Sequence, residues 1–526
     1  MRLLLAVAFL DLVLFACAPM MRQPVRPIPA PRGTFPIEEA TIAAAQSAIK
    51  LHITTCHGIV AQYLSRIAQL DKTGPALNAI TIVNPQALDE ADAMDRQFAR
   101  GGPMGLLQCV PMVVKDNYET IGLQSANGSK SLEGFVSDRD AFLVKRIKAA
   151  GAIVIAKTNM AEFAFSPYET LSSIQGQTKN PYALDRVPAG SSGGTAAAVA
   201  ANLALAGLGS DTGNSIRGPS SHQALVGIRS TMGLTSRAGV FPLNLLADIA
   251  GPMARTVEDA VAVFQVVAGS DPADPVTAAA SAHLPQNYSA SLVRDGLKGA
   301  RIGVLRFAYE RESTDPEIVQ VFMRAVEDLK LAGATIIDPG VVDGIGEIRR
   351  AQGSGSCMGF KYDLNRFLAG HGDKIPMKSL TEIVKSRRFH PTVAQRLEQA
   401  EAGAVNGPET DACQAEMTYR DQVRAAVNKA MDAQKIDAWV YPTWSNPPRL
   451  IGDLNTPGGD NSQFFSPTTG FPAIQVPMGY TRGGRLPAGI TFFGRAWSEP
   501  TLIKYAYAYE QATHHRRPPE STPPLR

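Results

Sequence analysis

Residues 188–221 read PAGSSGGTAAAVAANLALAGLGSDTGNSIRGPSS, and they hold two turns rich in glycine and serine on either side of an alanine-rich segment. The alanine-rich segment predicts a helix that begins just after Ser191. Small residues allow a backbone to pass close to a ligand, and successive N–H groups in such a turn can converge on an anion. The stretch therefore predicts a binding or catalytic site built from the two turns.

Two familiar glycine-rich sites fit this stretch poorly. Glycine-rich turns that open a helix can bind phosphate, but this turn contains neither G-x-x-x-x-G-K-[ST] nor G-x-G-x-x-G. An α/β-hydrolase would use Ser192 of Gly190–Gly194 as its nucleophile, on a strand that runs straight into the serine. Residues 180–188 contain two prolines and no strand pattern, although several histidines follow downstream. Both interpretations stay open as minor alternatives.

A third interpretation needs no histidine, and it draws on blocks of sequence spread over most of the chain. From about Ile37 to about Thr513 the chain resembles the amidase signature family, which includes fatty acid amide hydrolase, peptide amidase, malonamidase and the amidotransferase subunit that acts on mischarged glutamyl-tRNA. Besides the glycine- and serine-rich stretch, the resemblance rests on VVKDN at 113–117, AKTNMAEF at 156–163, GPMART at 251–256, and GFPAI at 470–474 followed by Pro477.

The resemblance implies a catalytic triad. The family's lysine falls on Lys115, its bridging serine on Ser191 and its nucleophile on Ser215, and the two serines have the family's spacing. In relatives the peptide bond before the bridging serine is cis. Lysine can act as a base only when it is neutral, and burial beside Val113 and Val114 would lower its pKa. We expect Lys115 to accept a proton from Ser191, which accepts one from Ser215 as that serine attacks the amide.

The backbone N–H groups of Thr212, Gly213, Asn214 and Ser215 are expected to form the oxyanion hole. Most relatives have glycine where this chain has Asn214. Asparagine is one of the residues that best tolerate a positive φ, so the turn is expected to persist. The Asn214 side chain is a candidate for narrowing the choice of substrate.

Simpler roles are possible for each of these residues. Lys115 could be a salt-bridged surface lysine, and Ser191 could serve as the N-cap of the following helix. The neighbouring polar residues are expected to have supporting roles: Ser192 and Thr195 in the turn and helix, Asp211 and Arg217 in holding the second turn, and Ser220, Ser221 and His222 beside the pocket.

The rest of the chain predicts an α/β protein. Short apolar segments that read as buried strands alternate with helical patterns, which is typical of a sheet covered on both faces. No low-complexity linker interrupts residues 37–515, so one large domain is predicted, and the resemblance implies a central mixed, twisted sheet. The proline-rich tail 516–526 is expected to be loosely ordered. Strands are predicted at 107–114, 152–156, 301–305, 334–337, 439–441 and 474–476, and helices within 37–70, 141–150 and 315–332.

The N-terminus reads as a targeting segment. Met1-Arg2 precedes an apolar run that is too short to span a bilayer and fits the core of a secretory signal peptide. Residues 14–17 read L-F-A-C, which resembles a bacterial lipobox in which Cys17 would be lipidated. Residues 18–36 are rich in proline and predict an extended tether. The chain is therefore expected to be exported by a bacterium, as a periplasmic protein or as a lipoprotein attached to the membrane through Cys17.

Composition and charge limit the kinds of partner and ligand that the chain is expected to bind. The formal net charge is only +3 over 526 residues, and no basic block interleaved with aromatics occurs, so no nucleic-acid partner is expected. The five cysteines show no C-x-x-C spacing. Cys56, His57 and His52 could bind a metal, but Cys56 is better interpreted as a small apolar residue at a helix start. No metal and no cofactor is implied.

Amide hydrolysis is the predicted function, acting on linear carboxamide C–N bonds in a small-molecule or peptide amide. An inactive amide-binding relative is the alternative from another class, and esterase or amidotransferase activity is the alternative within the same fold. An exported chain would be separated from tRNA and from cytosolic partner subunits, which favours a free amidase.

Overall fold

The structure is a computed structural model that describes residues 35–351, 357, 359–405 and 407–525. The predicted leader, with Cys17, and the predicted tether as far as residue 34 lie outside the described residues. The described part folds as a single α/β domain, as predicted, with one large sheet flanked by helices.

Eleven strands form the main sheet, and two short strands form a separate hairpin. The hairpin consists of β4 (Leu171–Ser172) and β5 (Gly176–Gln177). The strands of the main sheet are β1 (Ile80–Val83), β2 (Pro111–Lys115), β3 (Ile153–Thr158), β6 (Ala206–Asp211), β7 (Val226–Arg229), β8 (Ile249–Ala254), β9 (Arg301–Val304), β10 (Thr335–Ile337), β11 (Ala438–Pro442), β12 (Ala473–Thr481) and β13 (Leu486–Phe493).

The sheet is mixed, in the order β1-β3-β2-β6-β8-β7-β12-β13-β11-β9-β10. Strand β2 pairs in parallel with both β3 and β6, and β9 pairs in parallel with β10 and β11. The other neighbouring pairs are antiparallel. This order places the end of β2, which carries Lys115, beside the end of β6, which leads into the second glycine- and serine-rich turn.

Helices cover both faces of the sheet, so β2, β3, β6 and β8 are buried along their whole length. No helix in the described ranges is long and apolar enough to span a membrane. The α-helices are α1 (Ile42–Lys50), α2 (Cys56–Leu70), α3 (Ala87–Ala99), α4 (Phe142–Ala149), α5 (Gly193–Ala200), α6 (Arg217–His222), α7 (Val257–Val267), α8 (Pro316–Leu331), α9 (Ile345–Ala351), α10 (Phe360–Ala369), α11 (Leu380–Ser386), α12 (Pro391–Ala402), α13 (Asp411–Gln434), α14 (Phe465–Thr469) and α15 (Glu499–Thr513).

The cysteines contradict the simple interpretation of Cys56. Cys56 does begin α2 and is fully buried, but it forms a disulfide with Cys109, and their Cα atoms are 5.2 Å apart. A second disulfide joins Cys357 to Cys413. Neither pairing follows from sequence spacing, because disulfide connectivity depends on which distant segments pack together. In the described residues no group of three or more His, Cys, Asp or Glu side chains is arranged to hold a metal ion.

The expectation of a loosely ordered tail is wrong for residues 516–525. The Arg516 guanidinium pairs with the carboxylate of Glu39 at 2.7 Å, and Thr522 is only 3% exposed. The buried Arg66 donates hydrogen bonds to the carbonyl oxygens of Thr522 and Pro523. Proline content predicted an unpacked segment, but Arg66 supplies buried donors to the backbone of the tail, and Arg516 ties the start of the tail to Glu39.

Candidate active site

Lys115 ends β2 in the interior of the protein. Its side chain is fully buried, and its Nζ atom lies 2.7 Å from Ser191 Oγ and 2.9 Å from Ser210 Oγ. The apolar strand residues that precede it bring it there, because β2 is the strand between β3 and β6. The interpretation of Lys115 as a salt-bridged surface residue is therefore wrong.

Burial decides the charge state of this lysine. Desolvation lowers the pKa of Lys115 to about 7, although the carboxylates of Asp211 and Asp248 oppose that shift. A substantial share of the molecules therefore carries a neutral amine at neutral pH. A neutral amine has a lone pair, so it can accept a proton from a hydroxyl within hydrogen-bond distance.

Two residues beside Lys115 were not assigned a role from the sequence. Ser210 Oγ accepts hydrogen bonds from Lys115 Nζ and, at 3.0 Å, from Asn117 Nδ2. Asn117 can donate only through its amide nitrogen, so it occupies one lone pair of Ser210 and leaves the other for an N–H of the lysine. With an N–H of Lys115 donated to Ser210, the lone pair of a neutral Lys115 is available to the Ser191 hydroxyl. Asn117 lies in the VVKDN block and Ser210 in the quoted stretch, but nothing in their spacing singled them out.

Ser191 lies in the first turn, after a cis Gly190–Ser191 peptide bond, as the resemblance implied. Helix α5 begins two residues later, and its N-cap is Ser192, so the interpretation of Ser191 as the N-cap is wrong. Gly194 allows α5 to lie close to the residue that follows β3. A Cβ at position 194 would lie only 2.2 Å from the Asn159 carbonyl oxygen. The turn thus holds the Ser191 hydroxyl against Lys115.

Ser215 lies in the second turn, which follows β6. The backbone N–H groups of residues 212–215 donate no hydrogen bond to any residue in the described part of the chain. The Ser215 hydroxyl likewise has no hydrogen-bond partner there, and the residue is 6% exposed. The turn therefore presents uncommitted donors beside a hydroxyl, which is the arrangement that an oxyanion hole requires.

Asn214 does not use the conformational tolerance that was expected of it. Its φ is not positive, so the backbone conformation at this position does not require glycine. Its side chain is 1% exposed and points towards Gly218 and Trp444, since its Nδ2 lies 2.5 Å from where a Cβ of Gly218 would be. The Asn214 amide nitrogen has no hydrogen-bond partner in the described residues, and its influence on the choice of substrate stays a prediction.

A buried ion-pair network holds the second turn, as expected for Asp211 and Arg217. The Asp211 carboxylate pairs with Arg217 at 3.1 Å and with Arg229 at 3.0 Å, and all three side chains are fully buried. Arg217 also donates to the carbonyl oxygen of Gly213 at 2.6 Å. Burial alone would raise the pKa of Asp211, but the guanidinium of Arg217, followed by that of Arg229, holds it at about 2.

Replacing Asp211 by asparagine is expected to destabilise the protein by about 3–5 kcal/mol, because it leaves two buried guanidinium groups without their counter-charge. Chemical denaturation measures this change. The Asp295→Asn variant is the control, because it breaks an ion pair with Lys298 whose side chains are about 70% exposed, and it should change stability by less than about 1 kcal/mol. Equal effects of the two substitutions would contradict the role assigned to Asp211.

Ser192 and Thr195 have structural contacts, whereas the buried hydroxyls of Ser220 and Ser221 have no hydrogen-bond partner in the described residues. The Ser192 hydroxyl donates to the Ser210 carbonyl at 3.1 Å, and the Thr195 hydroxyl pairs with that of Thr158 at 2.7 Å. His222 is buried with its ring 4.6 Å from that of Trp444, and burial lowers its pKa to about 3. In the described part of the chain no histidine is hydrogen-bonded to Ser191, Ser192 or Ser215, as an α/β-hydrolase mechanism would require.

Comparison with known proteins finds relatives over most of the chain. The family model described as Amidase matches residues 58–503. The chain is 34% identical over 508 residues to a probable amidase of Arabidopsis thaliana, and the match covers 93% of each chain. It is also 34% identical to a glutamyl-tRNA(Gln) amidotransferase subunit of Synechococcus sp. (strain JA-3-3Ab), over 89% of this chain and 91% of that protein.

A solved structure shows the same fold. The peptide amidase from Stenotrophomonas maltophilia superposes with a TM-score of 0.82 and is 36% identical in sequence. The match covers 92% of this chain and 99% of that chain, so the likeness extends over nearly the whole domain.

Proposed function

The chain belongs to the amidase family, and we propose that it is a hydrolase that cleaves carboxamide C–N bonds through Lys115, Ser191 and Ser215. The hydrogen bond of 2.7 Å between a buried, partly neutral Lys115 and Ser191 is the observation that carries this proposal. It joins a base to the hydroxyl from which that base would accept a proton.

In the proposed reaction, Lys115 accepts the proton of Ser191, and Ser191 accepts that of Ser215 as Ser215 Oγ bonds to the amide carbon. The developing oxyanion is stabilised by the backbone N–H groups of residues 212–215. The tetrahedral intermediate then collapses, and the proton returns through Ser191 to the nitrogen that leaves, because an unprotonated amide nitrogen is a poor leaving group. Water attacks the remaining ester of Ser215 by the same route and releases the carboxylic acid.

A panel of primary amides, anilides and peptide amides, scored for released ammonia or amine, tests this proposal directly. Labelling by a fluorophosphonate probe is measured in parallel, because it reports an activated serine whatever the substrate. We expect labelling and turnover of at least one amide class. A folded protein that neither takes the label nor releases an amine would instead be the inactive amide-binding relative.

The compartment in which we expect the chain favours a free amidase over an amidotransferase subunit. We infer that the chain is exported and anchored by a lipid on Cys17. Of its five cysteines, the other four form two disulfides, and disulfides persist in oxidising compartments. Cytosolic tRNA and its partner subunits are absent from such a compartment.

Expression of the full chain in a bacterium, followed by fractionation and labelling with palmitate, tests the anchor. The wild type should carry the label and fractionate with membranes, whereas the Cys17→Ser variant should not. Thiol titration of the denatured protein should find Cys56, Cys109, Cys357 and Cys413 oxidised. An unlabelled wild type with four free thiols would place the enzyme in the cytosol instead.

A further inference from the structure

Two pockets meet beside the proposed oxyanion turn. The first has a volume of about 490 Å³ and is lined by Thr212 of that turn, with Leu243 and Phe360 among its other residues. The second has a volume of about 400 Å³ and contains Gln463, whose side chain lies about 3.3 Å from the place where a Cβ of Gly213 would be. Phe165 and Arg396 line both pockets.

Only the second pocket reaches the segment that carries Ser191. Its lining includes Ala161, whose N–H donates to the Ser191 carbonyl oxygen at 3.1 Å. It also includes Pro167, whose carbonyl accepts from the N–H of Gly190 at 2.8 Å. Because Ser191 returns the proton to the departing nitrogen in the proposed reaction, we assign this pocket to the amine half of the substrate and the pocket of Thr212 to the acyl half.

The amine side is therefore roomy. A volume of about 400 Å³ is far larger than ammonia requires, and it falls within the range of small-molecule binding sites. The pocket thus suits an amide whose nitrogen carries a substituent of considerable size.

Three charged side chains line this pocket, and two of them are already engaged. The Glu162 carboxylate accepts hydrogen bonds from the backbone N–H and the hydroxyl of Ser173 and from the N–H of His390. Arg396 donates to the Phe165 carbonyl at 2.6 Å, and its guanidinium lies 4.2 Å from the centre of the Phe165 ring. The hydrogen bonds to Glu162 hold its carboxylate in place, and the Arg396 guanidinium is held against the Phe165 ring.

Glu169 is the third charged side chain, and it differs from the other two. It is half-buried, and its carboxylate makes no hydrogen bond or ion pair with any residue in the described ranges. The charged groups that act on it are His390 and Arg449, which lie beyond ion-pair distance, and the Arg449 guanidinium lies over the ring of Tyr168 at 4.6 Å. A partly desolvated carboxylate without a partner gains from contact with a cation.

We propose that the enzyme cleaves secondary amides whose amine half carries a second, positively charged amino group, and that Glu169 binds that group. This inference rests on the proposed amide hydrolysis. Ser215 Oγ bonds to the acyl carbon as the C–N bond breaks, and the diamine leaves with the proton supplied through Ser191. Water then releases the acid from Ser215.

A matched pair of substrates tests the proposal. N-(2-aminoethyl)benzamide carries a cation on its amine half, and N-propylbenzamide is a neutral analogue of similar size. We expect kcat/KM of the wild type to be about tenfold higher for the cationic amide, a factor typical of one charge-assisted contact. In the Glu169→Gln variant that ratio should fall to about one. The control is Glu327→Gln, which removes an exposed carboxylate paired with Lys330 and should keep the wild-type ratio.

The N-propyl amide of 4-(aminomethyl)benzoic acid places the cation on the acyl half instead and should show no such preference. Binding is measured as well, through the concentration of each amide that slows fluorophosphonate labelling by half. A preference that survives Glu169→Gln, or one that follows the cation on the acyl half, would overturn the proposal. Absence of labelling in the wild type would instead refute the proposed amidase activity, so the two failures are distinguishable.

Discussion

Replacing Ser215 by alanine is expected to lower kcat/KM for any amide substrate by at least about 10,000-fold. Without the hydroxyl no acyl-enzyme can form, and the activity that remains comes only from substrate binding and the oxyanion donors. The substitution removes one atom at a position that is 6% exposed and has no hydrogen-bond partner in the described residues, so the melting temperature should hardly change. Loss of fluorophosphonate labelling checks the same point without a known substrate.

Ser192→Ala is the matched control for this experiment. Ser192 is the serine that an α/β-hydrolase would use, yet its hydroxyl donates to the Ser210 carbonyl. We expect the Ser192→Ala variant to lose some stability and to keep its labelling. Labelling that persists in Ser215→Ala and disappears in Ser192→Ala would transfer the nucleophile to the first turn.

Replacing Lys115 by methionine is the second large effect that we expect. Methionine approximates the length of the lysine without its base, and removal of a general base lowers rates by about 100- to 10,000-fold. Ser191 then has no acceptor for its proton, and Ser210 loses one of its two donors. Because a buried amine is replaced by an apolar chain, the free energy of unfolding should not fall greatly.

Lys157 offers a matched control for Lys115. It is also a fully buried lysine, on the neighbouring strand β3, and burial lowers its pKa to about 8. Its Nζ atom donates to the Tyr118 carbonyl and the Ser125 hydroxyl, and neither group takes part in the proposed proton transfer. Lys157→Met should therefore lower the melting temperature and retain fluorophosphonate labelling. If both lysine variants lose labelling to the same extent, the loss comes from disruption of the buried interior and not from removal of a general base.

The sequence predicted the strands that consist of apolar, β-branched residues. Strands such as β2, β3 and β9 follow that pattern, and the structure places them within a few residues of the predicted bounds. The main sheet also contains strands that were not predicted, among them β6 and β8, which read AGLGSD and IAGPMA. Glycine and alanine give a strand little propensity of its own. These strands form because neighbouring strands pair with them on both sides, and the sequence does not show that pairing.

The three residues of the proposed triad were identified from their resemblance to a family, because spacing alone could not bring Lys115 to Ser191 across 76 residues. Contacts that depend on the packed structure were missed. Ser210 and Asn117 resemble ordinary polar residues of a strand end, and their link to Lys115 appears only when β2 and β6 lie side by side. The unpaired state of Glu169 likewise depends on what surrounds it.

The dependence of kcat/KM on pH tests the central claim, which is that a neutral Lys115 is the base. The protonated lysine is inactive, so kcat/KM should rise about tenfold per pH unit below a pKa of about 7 and reach a plateau above it. The residual activity of Lys115→Met should lack this acid limb, and Lys157→Met should retain it. A wild-type rate that is flat between about pH 5 and pH 9 would contradict the account.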